Sequence, residues 1–345
     1  MNLGSVKPVL AALTLLACAG AYAQKTTLTV YTALETDQIK AYENGFNRQY
    51  PDIELKWVRD STGVITAKLL AEKANAQADV VMGVAASSLA LLDTQKMLVP
   101  YAPLNLDAIM SKYRDKKSPP AWFGMDVWGA TVCFNTVEAQ KKGLPKPETW
   151  KDLTKPIYKG QIVMPNPASS GTGFFDVSAW LALWGDDNGK GGGWKYMDAL
   201  HQNIGVYTHS GSKPCTMAGA GEYPLGISFE FRAARQKKQG APIDIVFPSE
   251  GSGWDMEATA IVKGTKNLEA AKTLVDWSVT DKAMKLYNEG YAVVAISKMS
   301  QPVEYLPGNM LEHMAKNDFQ WAATNRTKIL GEWEKRYGAK SEPKK

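Results

Sequence analysis

Apolar and polar positions alternate from Thr26 to Tyr31, where β-branched residues are frequent, and this period of two predicts a first strand. From Thr36 the period changes. Ile39, Tyr42 and Phe46 recur at helical spacing behind Thr36 as a cap, and Pro51-Asp52 closes the segment. Ile53 to Val58 predicts a second strand, and about Gly63 to Lys73 a second helix with Val64, Ala67 and Leu70 on one side. A short third strand, Asp79 to Met82, leads into a helix ending near Asp93. Strands alternating with helices predict an α/β parallel sheet with covering helices. Ligands bind such sheets beyond the carboxyl ends of the strands, where Leu34 to Thr36, Asp60 to Gly63 and Ala85 to Ser88 fall.

The pattern changes between Trp122 and Thr136. Trp128 to Asn135 is an unbroken strand pattern after a proline-containing loop, and we read it as the crossing into a second lobe. That lobe is expected to hold Trp150 to Gly160, a strand Gln161 to Met164, a helix from Gly171, and strands near Gly226–Phe229 and Ile243–Phe247. Met256 to Val262 reads as a strand returning to the first lobe. An amphipathic helix, Leu268 to Thr280, and another capped by Thr280-Asp281 through Tyr287 follow it. The end, Leu311 to Tyr337, is mostly helical in pattern and expected to pack across the first lobe. The expected organisation is therefore a signal at 1–23, lobe 1 at 24–130, lobe 2 at 131–255, a return to lobe 1 at 256–337, and a disordered tail at 338–345.

At 345 residues the chain can bury two separate cores. Its net charge of +5 owes something to the basic tail, and no Lys/Arg face with interleaved aromatics is present, so a nucleic-acid partner is not expected. Lys7, the apolar run Val9 to Ala17 and the small-residue site Ala21-Tyr22-Ala23 read as a secretory signal, and the run is too short to span a bilayer. Leu15-Leu16-Ala17-Cys18 offers lipidation at Cys18 as an alternative, but Ala-x-Ala follows so closely that cleavage after Ala23 is favoured. An exported monomer is expected. Cys133 and Cys215 survive processing; export permits a bridge, and two buried thiols remain the alternative. His201, His209 and His313 are scattered outside any metal motif, and no metal or other cofactor is expected.

The candidate chemistry lies in three Ser/Thr-rich turns, each opening a helix after a strand: Ser61-Thr62, Ser87-Ser88, and Ser169-Ser170-Gly171-Thr172. A helix start carries unpaired N–H groups and partial positive charge, and small hydroxyl residues let an anion approach it. One such turn is only a good cap; three suggest an oxyanion pocket. Carboxylates near the same strand ends, Glu35, Glu230 and Asp255 beside Trp254, could hold an ammonium, although each could equally be a solvated acid. Tyr31, Phe229 and Phe231 read as core rather than as an aromatic cage. No nucleophile motif, Walker sequence or activated Cys/His pair is present, so no enzyme is expected.

The strings Tyr31-Thr32-Ala33-Leu34-Glu35-Thr36, Trp57-Val58-Arg59-Asp60-Ser61-Thr62-Gly63 and Ala85-Ala86-Ser87-Ser88-Leu89-Ala90-Leu91-Leu92 resemble the periplasmic solute-binding proteins of ABC transporters in the ferric-ion-binding-like superfamily. Within it, the subgroup assigned to 2-aminoethylphosphonate uptake is the most similar. The resemblance implies a type II periplasmic-binding-protein fold, two α/β lobes closing like a flytrap on a ligand in the cleft, and delivery to a permease in the inner membrane. Iron-binding relatives carry adjacent tyrosines where this chain has Phe229-Glu230-Phe231-Arg232, which disfavours ferric iron. The expected ligand contacts are Leu34, Glu35, Ser61, Thr62, Ser87, Ser88, Ser169, Ser170, Gly171, Thr172, Glu230, Trp254 and Asp255. The alternatives are another small anion or zwitterion in the same fold (a phosphate ester, a sulfonate, an amino acid), and an exported phosphoester hydrolase.

Overall fold

A computed structural model describes residues 25–343, so the expected signal region and Cys18 lie outside the described residues. The first lobe opens with β1 (Thr26–Thr32), α1 (Thr36–Asn47), β2 (Ile53–Arg59), α2 (Thr62–Ala71), β3 (Val80–Ala85), α3 (Ala86–Thr94) and β4 (Leu98–Val99). The chain crosses on β5 (Phe123–Asn135) into α4 (Thr136–Lys142), β6 (Ile162–Pro165), α5 (Gly171–Trp184), α6 (Gly192–Asn203), β7 (Ile204–Thr208), α7 (Lys213–Gly219), β8 (Leu225–Phe229), α8 (Glu230–Lys238) and β9 (Ile243–Val246). It returns on β10 (Trp254–Val262), continues through α9 (Leu268–Ser278), α10 (Asp281–Glu289) and β11 (Val293–Val294), and ends in α11 (Phe319–Tyr337).

The sheet order is β2-β1-β3-β10-β5-β8-β6-β7, with β4 on β10 and both β9 and β11 on β5. β1 runs parallel to β2 and β3, as the strand–helix alternation predicts, and β10 lies antiparallel to β3 and β5. One strand serves both lobes. Phe123 to Gly129 of β5 pairs with β10, whereas Ala130 to Phe134 pairs with β8. Every residue of β5 is buried, Asp126 included, which explains why the strand shows no alternation of apolar and polar positions. One core gathers Tyr42, Phe46, Trp277 and Tyr287, and a second gathers Trp150, Trp180, Trp194 and Trp333. This is a mixed α/β fold of two lobes.

Several expectations change. The cap of α1 is Glu35, one residue before Thr36, in a reciprocal box with Gln38. α2 buries Ile65, Thr66 and Leu69, whereas Val64 of the expected face is exposed. That helix is apolar on several sides, so periodicity leaves the buried face open and packing selects it. β7 was not anticipated from the sequence. The regular helix at the C-terminal end starts only at Phe319, and it straps both lobes: Ala323 joins the first core, while Ala322, Ile329, Trp333 and Tyr337 join the second. The expected disorder of 338–345 does not hold for residues 338–343. Glu342 N–H donates to Tyr207 O at 2.8 Å, and its carboxylate accepts from His209 N–H at 2.7 Å and pairs with Lys213, so the tail is tied to the end of β7.

Cys133 of β5 and Cys215 of α7 form a disulfide across a sequence separation of 82, which resolves the alternative left open above. It anchors α7 to the crossing strand and restricts the unfolded chain. Cys133→Ala with Cys215→Ala is expected to lower unfolding stability by about 2–4 kcal/mol. Denaturant titration of the oxidised protein and the double variant measures this.

Candidate functional site

The turns that follow β2 and β6 come from opposite lobes and meet. Gly63 N–H, in the first turn of α2, donates to Ser169 O just before α5 at 2.8 Å. A Cβ on Gly63 would lie 2.1 Å from Ala168 O, so glycine is what permits this approach. A Cβ on Gly171 would lie 2.9 Å from Thr62 Oγ1 and 3.2 Å from the Trp128 ring. One on Gly211, beyond β7, would lie 2.4 Å from Thr172 Oγ1. Two helix N-termini and their hydroxyls are therefore brought to one point by backbone contacts between lobes. Ser170 Oγ caps α5 by accepting from Gly173 N–H at 3.4 Å.

Around this point lies a cleft with a cavity of about 40 Å³, little more than one water's share of liquid. Ala33, Glu35, Arg59, Ser61, Thr62, Gly83 and Ala85 line it from lobe 1. Ser170, Gly171, Thr172, Ser210, Gly211, Phe229 and Phe231 line it from lobe 2, with Trp128 and Glu257 on the crossing strands. The mouth carries two ion pairs between α1 and α8 or their caps: Glu35 Oε2 lies 2.9 Å from the Arg232 guanidinium, and Asp37 pairs with Arg235. Arg59 approaches Glu35 at 3.7 Å and is aimed by its Nε–H donating to Leu34 O at 3.0 Å.

Six of the expected contacts, Glu35, Ser61, Thr62, Ser170, Gly171 and Thr172, line this cavity. The others lie elsewhere. Leu34 is fully buried beneath Gly83 and contributes only its carbonyl to Arg59. Ser169 Oγ turns to His209 Nδ1 at 3.2 Å. Ser87 and Ser88 are buried at the start of α3, where Asp255 accepts from Ser87 N–H at 3.4 Å. The anion expected at this third helix start is thus the protein's own carboxylate. Trp254 lies on the opposite side of β10 from Asp255, lining a separate cavity of about 1130 Å³ with Trp122 and Phe319, and its Nε1–H donates to Ala315 O at 2.8 Å. Glu230 lies buried just behind the lining, with Oε2 accepting from Gly129 N–H at 2.6 Å and Oε1 without a partner.

Phe229 and Phe231, expected in the core, are buried but also form part of the cleft wall; Tyr31 stays in the core with its hydroxyl on Glu72. The sequence reading missed Arg59, Trp128, Ser210, Gly211 and Glu257. Trp128 carried a usable signal, because a strand that crosses between lobes must line the cleft between them. Glu257 carried none, since which face of β10 looks into the cleft depends on register.

Burial pushes the Glu230 carboxyl up to about 8, against the opposing hydrogen bond from Gly129. Burial also raises Asp255 to about 6, although Ser87 and Met256 stabilise its charged form. Burial raises both Asp126 and Glu257, and the two carboxyls lie against each other. Among the described residues, no three or more His, Cys, Asp or Glu side chains are grouped to hold a metal ion, and no helix is long and apolar enough to cross a membrane.

The family of bacterial extracellular solute-binding proteins matches residues 75–319. The chain belongs to this family. Among its relatives, this solute-binding protein is 28% identical over 323 residues to an uncharacterized protein of Haemophilus influenzae, covering 91% of each. It is 24% identical over 246 residues to a probable ABC transporter periplasmic-binding protein of Sinorhizobium fredii, covering 70% of this chain and 67% of that one. Its fold superposes with a TM-score of 0.85 on the periplasmic binding protein AfuA of Actinobacillus pleuropneumoniae, solved with exogenous fructose-6-phosphate bound. That likeness has 29% identity and covers 91% of this chain and 99% of the other. By family the chain is thus a bacterial extracellular solute-binding protein.

The raised carboxyls set a pH dependence. Glu230 binds its proton more tightly in the folded state, so its favourable contribution is complete below about pH 4 and is lost as pH rises toward 8. Glu230→Gln, which keeps an acceptor for Gly129, is expected to gain on the wild type by up to about 1.4 kcal/mol per pH unit across that window. Chemical denaturation of both proteins at about pH 5 and 8 reads the difference, and a gap independent of pH would contradict the assignment.

Proposed function

We propose that this solute-binding protein carries 2-aminoethylphosphonate to its permease, with the phosphonate on the paired helix N-termini and the ammonium among the cleft acids. The supporting observation is that Ser61 and Thr62 from one lobe, Ser170 to Thr172 from the other, and the carboxylates Glu35 and Glu257 all line one small cavity. A phosphonate accepts from backbone N–H groups and hydroxyls on both sides, so binding it stabilises the closed arrangement of the lobes. Each charge-assisted bond contributes roughly 1.5–3 kcal/mol, and a few suffice for the about 8 kcal/mol of a micromolar site. The Trp128 ring supplies an aromatic face beside the acids. No general acid or nucleophile is needed for this role.

A second reading, a sugar phosphate, draws support from the likeness to AfuA with its bound fructose-6-phosphate. Sugar hydroxyls would donate to the same carboxylates that an ammonium would meet. The two differ in charge: an amine compensates buried acids, whereas hydroxyls leave them protonated or mutually repelling. Titration calorimetry with 2-aminoethylphosphonate, ethylphosphonate and fructose 6-phosphate separates them. Saturable binding of the amine alone supports the first reading, and binding of the sugar phosphate alone replaces it with the second. In either case Thr172→Ala is expected to weaken binding about tenfold, through one lost hydrogen bond to the anion. An unchanged affinity would remove that turn from the site.

A further inference from the structure

Asp126 and Glu257 stand directly opposite each other on the antiparallel pair β5 and β10. Directly opposed residues share a face of the sheet with Cβ atoms roughly 4.5–5.5 Å apart, and two like charges there are destabilising. Both side chains are buried, neither Asp126 oxygen has a close hydrogen-bond partner, and the groups acting on its carboxyl are the side chain and backbone N–H of Glu257. The ladder shifts register immediately after Glu257, between it and Ala258, the kind of irregularity that re-aims a side chain next to a site. Glu257 lines the ligand cavity, and Asp126 stands behind it.

The surroundings leave this pair short of positive charge. From α1, Gln38 Nε2 reaches Glu257 Oε2 at 3.5 Å and Tyr42 lies alongside; from α10 comes Tyr287, and from the starts of α1 and α8 come the acids Glu35 and Glu230. Of these acids, Glu35 is already paired with Arg232, and the cavity's own guanidinium, Arg59 at the end of β2, is held on Glu35 and the Leu34 carbonyl. The Trp128 indole N–H is buried beside the same cavity without an acceptor. Two adjacent carboxyls out of water, with no cation of their own, hold one proton between them.

We propose that Glu257, backed by Asp126, reads the ligand's ammonium, and that the pair surrenders its shared proton to solvent when the ammonium arrives. The O–H bond of the pair breaks and N–H···O contacts to the freed carboxylate form. The charge of the pair plus the ammonium is −1, the same as that of the singly protonated pair alone, so seating the ammonium leaves the charge at the pair unchanged. The exchange rests on the amine-bearing reading of the ligand, and it makes the site specific: a hydroxyl in place of the ammonium cannot pay for the proton's departure. Affinity for the amine is expected to rise with pH up to the point where the pair has titrated, by about tenfold per pH unit for each proton released.

The test is calorimetric titration with 2-aminoethylphosphonate at about pH 6 in two buffers of different ionisation enthalpy, on wild type and Asp126→Asn. The phosphonate's own titration contributes equally to both proteins and cancels. Wild type is expected to release about one more proton per ligand than the variant. Glu257→Gln provides the same subtraction should Asp126→Asn fail to fold. Binding with equal proton counts in wild type and variant would overturn the exchange while leaving the phosphonate reading intact. No heat from 2-aminoethylphosphonate with wild type would remove that reading and the exchange with it. A protonated-carboxyl component in the infrared difference spectrum of ligand-free wild type minus Glu257→Gln, in which the Glu230 carboxyl cancels, would then sustain the shared proton alone, and absence of that difference would remove it too.

Discussion

The antiparallel ladder between β5 and β10 is the constraint on which the rest of the molecule depends. β5 pairs with β10 up to Gly129 and with β8 from Ala130, so a single backbone belongs to both lobes. Its residues are buried throughout. The ladder therefore fixes where the lobes meet, which side chains face the gap, and that Asp126 and Glu257 oppose each other there. It also places Gly129 where its N–H meets Glu230.

The cleft is built from two unlike halves with different energetics. The oxyanion half uses the backbone and hydroxyls of two helix starts, close enough together that Gly63, Gly171 and Gly211 admit no side chain. It is preorganised and electrically neutral before a ligand arrives. The acidic half is the reverse: Glu230 and the Asp126–Glu257 pair are buried at a cost that raises their proton affinity. That cost weakens the fold on its own and is relieved by a cation. A stable protein that keeps such groups beside a cavity has its specificity written in the unfavourable part of its structure.

Salt bridges at the mouth play a different part. Glu35 with Arg232 and Asp37 with Arg235 link α1 to α8 across the gap, in partly solvated surroundings where such pairs contribute little individually. They orient the closing surfaces, whereas the ligand supplies the free energy that holds them shut. The α11 strap, with Ala323 in one core and Trp333 in the other, limits how far the lobes can separate on the hinge side.

Local pattern was sufficient for much of this. The alternation Thr26 to Tyr31 reads as a strand, the spacing of Ile39, Tyr42 and Phe46 as a helix, the continuous run Trp128 to Asn135 as a strand, and Ser170-Gly171-Thr172 as a helix start. Those features rest on periods and caps within a few residues, so the sequence by itself determined them, together with the two-lobed α/β class. It could not decide that Asp255 would fill the helix start of Ser87 and Ser88, or that Trp254 would face away into another cavity, because those depend on one residue's register between strands far apart in the chain. Nor could it pair Asp126 with Glu257, or tie residues 338–343 to β7. Only the tertiary structure decided these, because the partners, and with them the charge each acid keeps, are fixed by which strand and which turn arrive opposite.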